Sequence, residues 1–399
     1  MLYWLKHPTV GAPTGVSFGL TFLLAFVFGS IPGAIGAGAL YGVSLADADW
    51  LHGAAESLLA ITNCVVVLGF RQALAQPATA NGASATDDAG TARLRTIATA
   101  LGGLAALSAV AVYASGSAEV HTPWLGGVGN LPAGLWPSEP ANALSVPTWI
   151  IHTSSLVEWL VAMGLAWRYA EVANEPKWRG VTWGMLPLHT SGIVACTYHL
   201  FYNAPAISWC VALQAGMTCI GNTTLAFACL RLALASGWTW DMGKDDAARA
   251  LASINADLGK LLSSSSSSDD DAAAGSGASD ATGDGMRANG ADAGTPGSYG
   301  GIGEEVGATL VGWEDLGDAW SKDSDVGFLL KLAALSGGLA YFVKYTPALV
   351  PGAVAGAWAG LPDEAVSVAA LAVIVIPTAL NCAKWNARSK ENAEFVGDI

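Results

Sequence analysis

The sequence has little charge. Only 13% of its 399 residues are Asp, Glu, Lys or Arg, whereas 52% are hydrophobic and the mean hydropathy is +0.43. A soluble domain usually carries about a quarter charged residues. This shortage excludes an ordinary cytosolic enzyme, a disordered protein and a nucleic-acid binder. Because the apolar residues form blocks long enough to cross a bilayer, the sequence predicts a polytopic membrane protein.

The common signatures of catalysis and of disulfide frameworks are also missing. The six cysteines show no CxxC spacing, so we expect buried free thiols and neither a disulfide framework nor a cysteine zinc site. No P-loop, GxSxG or HExxH motif occurs, and no GxGxxG follows a strand-like run. No Arg-rich helix resembles a voltage sensor, and no inverted repeat resembles a transporter. These absences favour a protein that is not an enzyme.

The apolar blocks predict an all-α transmembrane helical bundle of about eight spans, arranged as a six-helix body and a two-helix tail. Each span is about 18 to 25 residues long. We expect close helix contacts at small residues such as Gly15 and Gly19, which are four residues apart. The predicted spans are 16–40, 50–70, 96–114, 148–168, 181–203, 207–230, 326–347 and 365–383.

The distribution of Lys and Arg predicts the orientation of these spans, because both residue types concentrate on the untranslocated side. The loops predicted on the opposite side contain neither; they are 41–49, 115–147 and 204–206. Lys331 lies close enough to a helix end to reach back to the basic side. Lys344 alone violates the pattern. We therefore expect both termini and segment 241–325 on one side.

Five segments follow from this reading. We expect a three-helix membrane segment over 1–115, an outer loop over 116–146, a three-helix domain over 147–240, an acidic disordered linker over 241–325 and a two-helix tail over 326–399. The linker carries 17 Asp or Glu against 5 Lys or Arg and contains a run of six serines. Trp313 and Trp320 near its end suggest a short interfacial helix.

The N-terminus allows two interpretations. Ala37-Gly38-Ala39 resembles a signal-peptide cleavage site, so residues 1–39 are either removed or kept as the first span. The block from Val16 to Leu40 is longer than a typical signal core, which favours retention. No Arg- and Ser-rich transit peptide is visible.

Three histidines are predicted to lie at one depth in the bundle. His52, His152 and His199 each lie within roughly 3 to 6 Å of the outer boundary of a different span. Converging imidazoles can bind a transition metal, a haem or a chlorophyll-like tetrapyrrole. Glu56, at i+4 from His52, would be a further ligand or an orienting carboxylate. The alternative is that each histidine makes an interfacial hydrogen bond to the backbone or to water.

A second pair of titratable residues lies deeper. Glu158 and His189 are on consecutive predicted spans joined by a short connection, so they are expected to meet near the midplane. Such a pair is either a structural polar lock or part of a proton relay. Other polar residues in the spans are Asn63, Asn203, Gln214 and Asn222.

Two segments resemble known families. The stretches PTWIIHTSSLVEWLVAMGLAWRYAE (147–171), TWGMLPLHTSGIVACTYHLFYN (182–203) and LQAGMTCIGNTTLA (213–226) are similar to the Ycf-forty-nine-like family of cyanobacterial and plastid membrane proteins, over residues 147–235. Residues 45–74 resemble a second family of the same lineage. The resemblance implies a plastid or thylakoid membrane with the basic side facing the stroma. It implies no chemistry.

Three functional hypotheses follow. The preferred one is a non-enzymatic thylakoid or plastid membrane protein that scaffolds or assists the assembly of photosynthetic complexes, with the lipid bilayer and other thylakoid membrane proteins as partners. The second is a tetrapyrrole- or metal-binding protein that uses His52, His152, His199 and Glu56. The third is a small-molecule or proton transporter built around Glu158 and His189.

Overall fold

In a computed structural model of the chain, the described residues are 1–75, 85–130, 139–140, 142–266, 312–349 and 361–391. Within these ranges the chain forms α-helices and short 3-10 turns and contains no strand. The helices are α1 (Leu2–Lys6), α2 (Thr14–Tyr41), α3 (Asp49–Ala75), α4 (Ala85–Ala114), α5 (Val146–Val172), α6 (Trp178–Leu200), α7 (Trp209–Ala235), α8 (Trp240–Ser266), α9 (Leu316–Ala319), α10 (Asp325–Leu349) and α11 (Asp363–Glu391).

This architecture confirms the predicted all-α polytopic bundle. Each of the eight predicted spans coincides with a long helix, and seven of these helices are long and apolar enough to cross a membrane. The remaining one is α6, which is less apolar because it carries two histidines and several hydroxyl side chains.

The helices form a compact unit that spans Met1–Ser236 and Glu305–Ile399. Consecutive helices from α2 to α7 pack against their neighbours, with the exception that α5 packs against α3 rather than α4. Helix α5 is the centre of this unit, and its Val161, Ala162 and Met163 are completely buried. Between membrane-spanning helices such burial stabilises the bundle through close van der Waals packing. Among the later helices of this unit, α7 and α11 contact α6, and α9 and α10 contact α5.

The two tail helices are part of the same unit. Helix α10 packs on α5, and α11 packs on α6. Arg71, at the end of α3, donates hydrogen bonds to the carbonyl oxygens of Trp320 (3.2 Å) and Asp323 (2.9 Å), and its guanidinium lies 4.0 Å from the centre of the Phe328 ring. These contacts attach the start of α10 directly to the N-terminal helices.

The segment predicted as a disordered linker begins with a helix. Helix α8 runs from Trp240 to Ser266 and lies in a second unit, Gly237–Glu304. Ion pairs at i,i+3, such as Lys244 with Asp241, occur on its exposed face. Residues 267–311 lie outside the described part of the chain. The predicted interfacial helix near Trp313 and Trp320 is a 3-10 turn, Trp313–Asp315, followed by the four-residue α9, and this turn packs against α5.

Candidate metal centre

The three predicted histidines meet at one end of the bundle. His52 lies in the first turn of α3, His152 in the second turn of α5 and His199 in the last turn of α6. Their ring centroids are 4.8 Å (His52–His152), 5.0 Å (His52–His199) and 5.0 Å (His152–His199) apart. All three are buried, with exposures of 6%, 5% and 4%. We call this group the histidine cluster.

The start of α3 is fixed by hydrogen bonds across the bundle. The Asp49 amide donates to the Val120 carbonyl oxygen at 2.8 Å, and the Asp49 carboxylate accepts from the Ser145 amide at 3.1 Å. Because Ser145 immediately precedes α5, these bonds hold the first turns of α3 and α5 side by side. Gly53 allows the buried Trp124 to approach α3, since a Cβ atom at Gly53 would lie 2.8 Å from the Trp124 Cβ.

Two of the imidazoles are oriented by groups outside the cluster. His199 Nδ1 lies 2.9 Å from the Asn203 side-chain oxygen, and His52 Nδ1 lies 3.3 Å from the Ala46 carbonyl oxygen. The Asn203 amide in turn donates to the Asp47 carboxylate at 2.6 Å. Proton donation from Nδ1 to an oxygen leaves Nε2 as a free ligand atom, which is the usual arrangement around a histidine-bound metal.

The third histidine also has a nitrogen that is free to bind a metal. His152 Nε2 is buried and has no hydrogen-bond partner among the described residues. One ligand atom from each histidine lies within 4.8 Å of the others. Nitrogens bound to a tetrahedral zinc ion are about 3.3 Å apart, given bonds of about 2.0–2.1 Å. The three nitrogens would therefore have to approach one another by up to about 1.5 Å to reach that spacing.

Glu56 lies where the sequence predicts it. Its Oε1 is 3.8 Å from His52 Nε2, one helical turn away, and its side chain is 16% exposed. It also lines a cavity beside the cluster. A carboxylate in this position can complete the coordination of a metal or accept a proton from a ligand.

The ring positions do not allow a haem to be held between two of these imidazoles as axial ligands. Imidazoles that bind opposite faces of a haem have ring centroids more than about 6 Å apart, because each nitrogen–metal bond is about 2.0 Å. The rings of the cluster are closer than that, and they contact one another directly.

Glu158 and His189 have different partners, so the pair predicted from the sequence is not formed. The Cys64 thiol donates to Glu158 Oε1 at 3.2 Å, whereas His189 Nδ1 faces the Asn381 amide nitrogen at 3.4 Å. Within the described ranges no ion pair joins the two within 4 Å. The reason is that Glu158 bonds to Cys64 of α3, while the Nδ1 atom of His189 faces Asn381 of α11.

Sequence reasoning does not find the residues that orient the cluster. It identifies Asn203 only as a polar residue near a helix end, and it does not single out Asp47. A signal for Asn203 exists, because this residue follows His199 at i+4. Asp47 contributes from a separate loop, so its role requires the tertiary structure.

The fold and the cluster together define a class: polytopic helical membrane proteins with a buried group of three histidines. Comparison with known proteins gives the family. Residues 143–231 match the model described as "Protein of unknown function (DUF2499)", and residues 1–75 match "Protein of unknown function (DUF3593)".

Two relatives are similar to the first of these segments. A "Ycf49-like protein" of Synechocystis sp. is 52% identical over 87 residues, which are 22% of this chain and 84% of the relative. The "Uncharacterized protein ycf49" of Cyanophora paradoxa is 30% identical over 89 residues, which are 22% of this chain and 87% of the relative. The chain belongs to the Ycf49-like family. It is a membrane protein of cyanobacterial or plastid type. No solved structure matches it.

The histidine cluster joins the two matched segments. His52 and Glu56 lie in the segment 1–75, whereas His152 and His199 lie in the segment 143–231. The cluster therefore depends on the packing of one segment against the other.

Proposed function

We propose that this protein binds one transition-metal ion through His52, His152 and His199. The observation that carries the proposal is the meeting of three buried imidazoles from three helices, two of them oriented at Nδ1 by an oxygen. Three neutral imidazoles suit zinc, copper, iron or nickel. A binding site of this kind leaves a further position for Glu56 or for a ligand from the adjoining cavity.

Metal analysis of the purified protein tests this proposal. We expect one metal ion per chain, and reconstitution with Co²⁺ should give the visible absorption of a nitrogen-ligated ion. Replacing any one of the three histidines by Ala should abolish stoichiometric binding. The matched control is His121→Ala, because His121 is exposed and lies outside the cluster. Binding that is the same in the cluster variants and in this control would contradict the proposal.

A scaffold or assembly role in a photosynthetic membrane is the second candidate. It is favoured by α8, on which Leu251, Ile254 and Leu258 are all more than half exposed and are spaced three and four residues apart. Such a stripe on an otherwise charged helix is typical of a surface that binds a partner or the membrane interface.

Affinity purification from mild detergent tests the scaffold role. We expect subunits of photosynthetic complexes to copurify with the protein, and to be lost when the three apolar residues of α8 are changed to Ser. Changing Ala252 and Ala256 to Ser is the control. Recovery of no such subunit with the unaltered chain would exclude this role.

We further propose a thylakoid or inner-envelope location with both termini and segment 241–325 on the stromal side. The absence of Lys and Arg from the loops at the other end supports this orientation. Protease accessibility in isolated plastid membranes tests it: segment 241–325 should be cut from the stromal side alone.

A further inference from the structure

A cavity of about 350 Å³ lies in the bundle next to the histidine cluster. Helices α2, α3, α5, α6 and α7 form its walls. One part of the wall is apolar and aromatic, including Phe26, Leu59 and Trp159. The other part is polar; it includes Asn63, Ser155 and His189, and also Glu56 and His152 of the candidate metal site. We call this space the intramembrane cavity.

The polar wall carries hydrogen-bonding atoms that the described residues do not satisfy. Asn63 Oδ1, Ser155 Oγ and His189 Nε2 are buried and have no hydrogen-bond partner among those residues, and the same holds for His152 Nε2 of the histidine cluster. Asn63 is only 2% exposed and His189 only 6%. Buried polar groups are normally hydrogen-bonded, and this is more stringent within a bilayer because lipid chains offer no partner. Three such atoms outside the histidine cluster, on residues that line one cavity, indicate a space that receives a polar group.

The cavity opens toward the lipid. Its rim includes Val27 of α2 and Thr218 and Asn222 of α7, all of which are exposed on the outer surface of apolar helices. A ligand that enters here must therefore be soluble in the bilayer. The volume is at the lower end of the roughly 300–1,000 Å³ range of ligand pockets, so only a small head group fits.

The hydrogen-bonding capacity of these three atoms indicates which polar group the head group should carry. Asn63 Oδ1 can only accept a hydrogen bond, while Ser155 Oγ donates or accepts and His189 Nε2 does either according to its tautomer. A hydroxyl group both donates and accepts, and so it matches all three atoms. A carbonyl group would leave Asn63 Oδ1 unpaired. An aromatic ring that carries the hydroxyl would pack against Trp159 and Phe26.

We propose that the intramembrane cavity binds the head of a lipid-soluble phenol or hydroquinone. The hydroxyl group lies against Asn63, Ser155 and His189, the ring lies against the aromatic wall, and the apolar tail leaves between α2 and α7 into the bilayer. This proposal goes beyond metal binding, because these three polar residues do not belong to the histidine cluster.

Binding of decylhydroquinone to the protein in lipid nanodiscs tests the proposal, with empty nanodiscs as the background. The protein is first treated with a chelator, so that failure of the metal proposal cannot change this result. We expect saturable binding of one molecule per chain, and at least tenfold weaker binding of decylbenzene, which lacks the hydroxyl groups.

Variants locate the site. Ala195→Phe fills the cavity from α6, and Asn63→Leu and His189→Leu each remove one polar partner; each should weaken decylhydroquinone binding at least tenfold. Ala212→Phe, on the exposed side of α7, is the matched control and should bind normally. Circular dichroism and gel filtration identify any variant that fails to fold. If one of the three cavity variants does not fold, the other two test the proposal. Binding no greater than to empty nanodiscs, equal binding of decylbenzene, or full binding by the folded cavity variants would overturn the proposal.

Discussion

The histidine cluster depends on one amide side chain outside it. Asn203 Oδ1 faces His199 Nδ1, and its nitrogen donates to Asp47. Loss of an orienting partner typically lowers metal affinity about 10- to 100-fold. We therefore expect Asn203→Ala to weaken metal binding by about that factor while the fold is retained. Competition against a chromophoric chelator measures this. Asn222→Ala, which removes an amide on the lipid-exposed face of α7, should leave the affinity unchanged.

The metal site should also respond to pH. Each imidazole must lose its proton to bind the metal, so protons compete with the ion. We expect the apparent affinity to fall once the pH is low enough to protonate these buried imidazoles, and chelator competition at several pH values measures the slope. An affinity that is independent of pH would indicate ligands other than these histidines.

Lys344 is the one base that lies on the side predicted to lack Lys and Arg, and its contacts in the structure explain this exception. Its ammonium lies 2.7 Å from the Glu139 carboxylate and 2.7 Å from the Leu144 carbonyl oxygen, and both side chains of the pair are at most 5% exposed. Burial raises the pKa of the Glu139 carboxyl, while the Lys344 ammonium acts in the opposite direction. The cation is therefore neutralised within the protein, and the distribution of the other bases still predicts the orientation.

Breaking this buried pair should be costly. Removing one partner leaves the other charge buried alone, which costs about 3–5 kcal/mol. We expect Lys344→Met to lower the thermal stability of the detergent-purified protein markedly. The double variant Lys344→Met/Glu139→Leu should recover most of the loss, because no lone charge remains. If the double variant were less stable than the single one, the ion pair would not be the cause.

At the scale of the helices, small residues fix the spacing of α2 and α3. A Cβ atom at Gly69 would lie 2.6 Å from the Gly15 carbonyl carbon, and one at Gly19 would lie 2.9 Å from the Val66 amide nitrogen. The expected close contact at Gly15 and Gly19 is thus confirmed. We expect Gly69→Ala to push the helices apart and to destabilise the protein by about 1–3 kcal/mol.

The same substitution at an open position is the control. A Cβ atom at Gly38, in α2, would have nothing within 4 Å of it, so Gly38→Ala should be neutral or stabilising by about 0.5–1 kcal/mol. Thermal unfolding in one detergent compares the two. Equal effects of the two substitutions would show that the backbone contact between α2 and α3 does not limit stability.

The sequence predicts a feature well when that feature depends on neighbouring residues, and poorly when it depends on contacts between distant parts of the chain. The spans are predicted well because hydropathy is a local property, and the depth of His52, His152 and His199 follows from counting residues along each helix. Helix α8 is missed because the composition of 241–325 is averaged over its acidic, Ser-rich part. Glu158 and His189 have different partners in the structure, because sequence spacing gives the depth of a residue but not the helix that it faces.

At the scale of the whole molecule, the cluster should survive a cut between its two segments. The packing of α3 on α5 and the bond between Asp49 and Ser145 join them without the connecting chain. We expect residues 1–130 and 139–399, coexpressed as separate chains, to copurify and to bind the metal at one ion per pair. Neither chain alone should bind it. Metal binding by 139–399 alone would show that His52 is not a ligand.

The three histidines come from two family segments, and in this protein both segments belong to one covalent chain. Two separate proteins would have to find one another in the plane of the membrane, in matching amounts, before the three imidazoles could meet. A covalent connection makes that encounter intramolecular, with an effective concentration set by the length of the connection. Every copy of this chain therefore carries both halves in a fixed one-to-one stoichiometry, whatever its expression level.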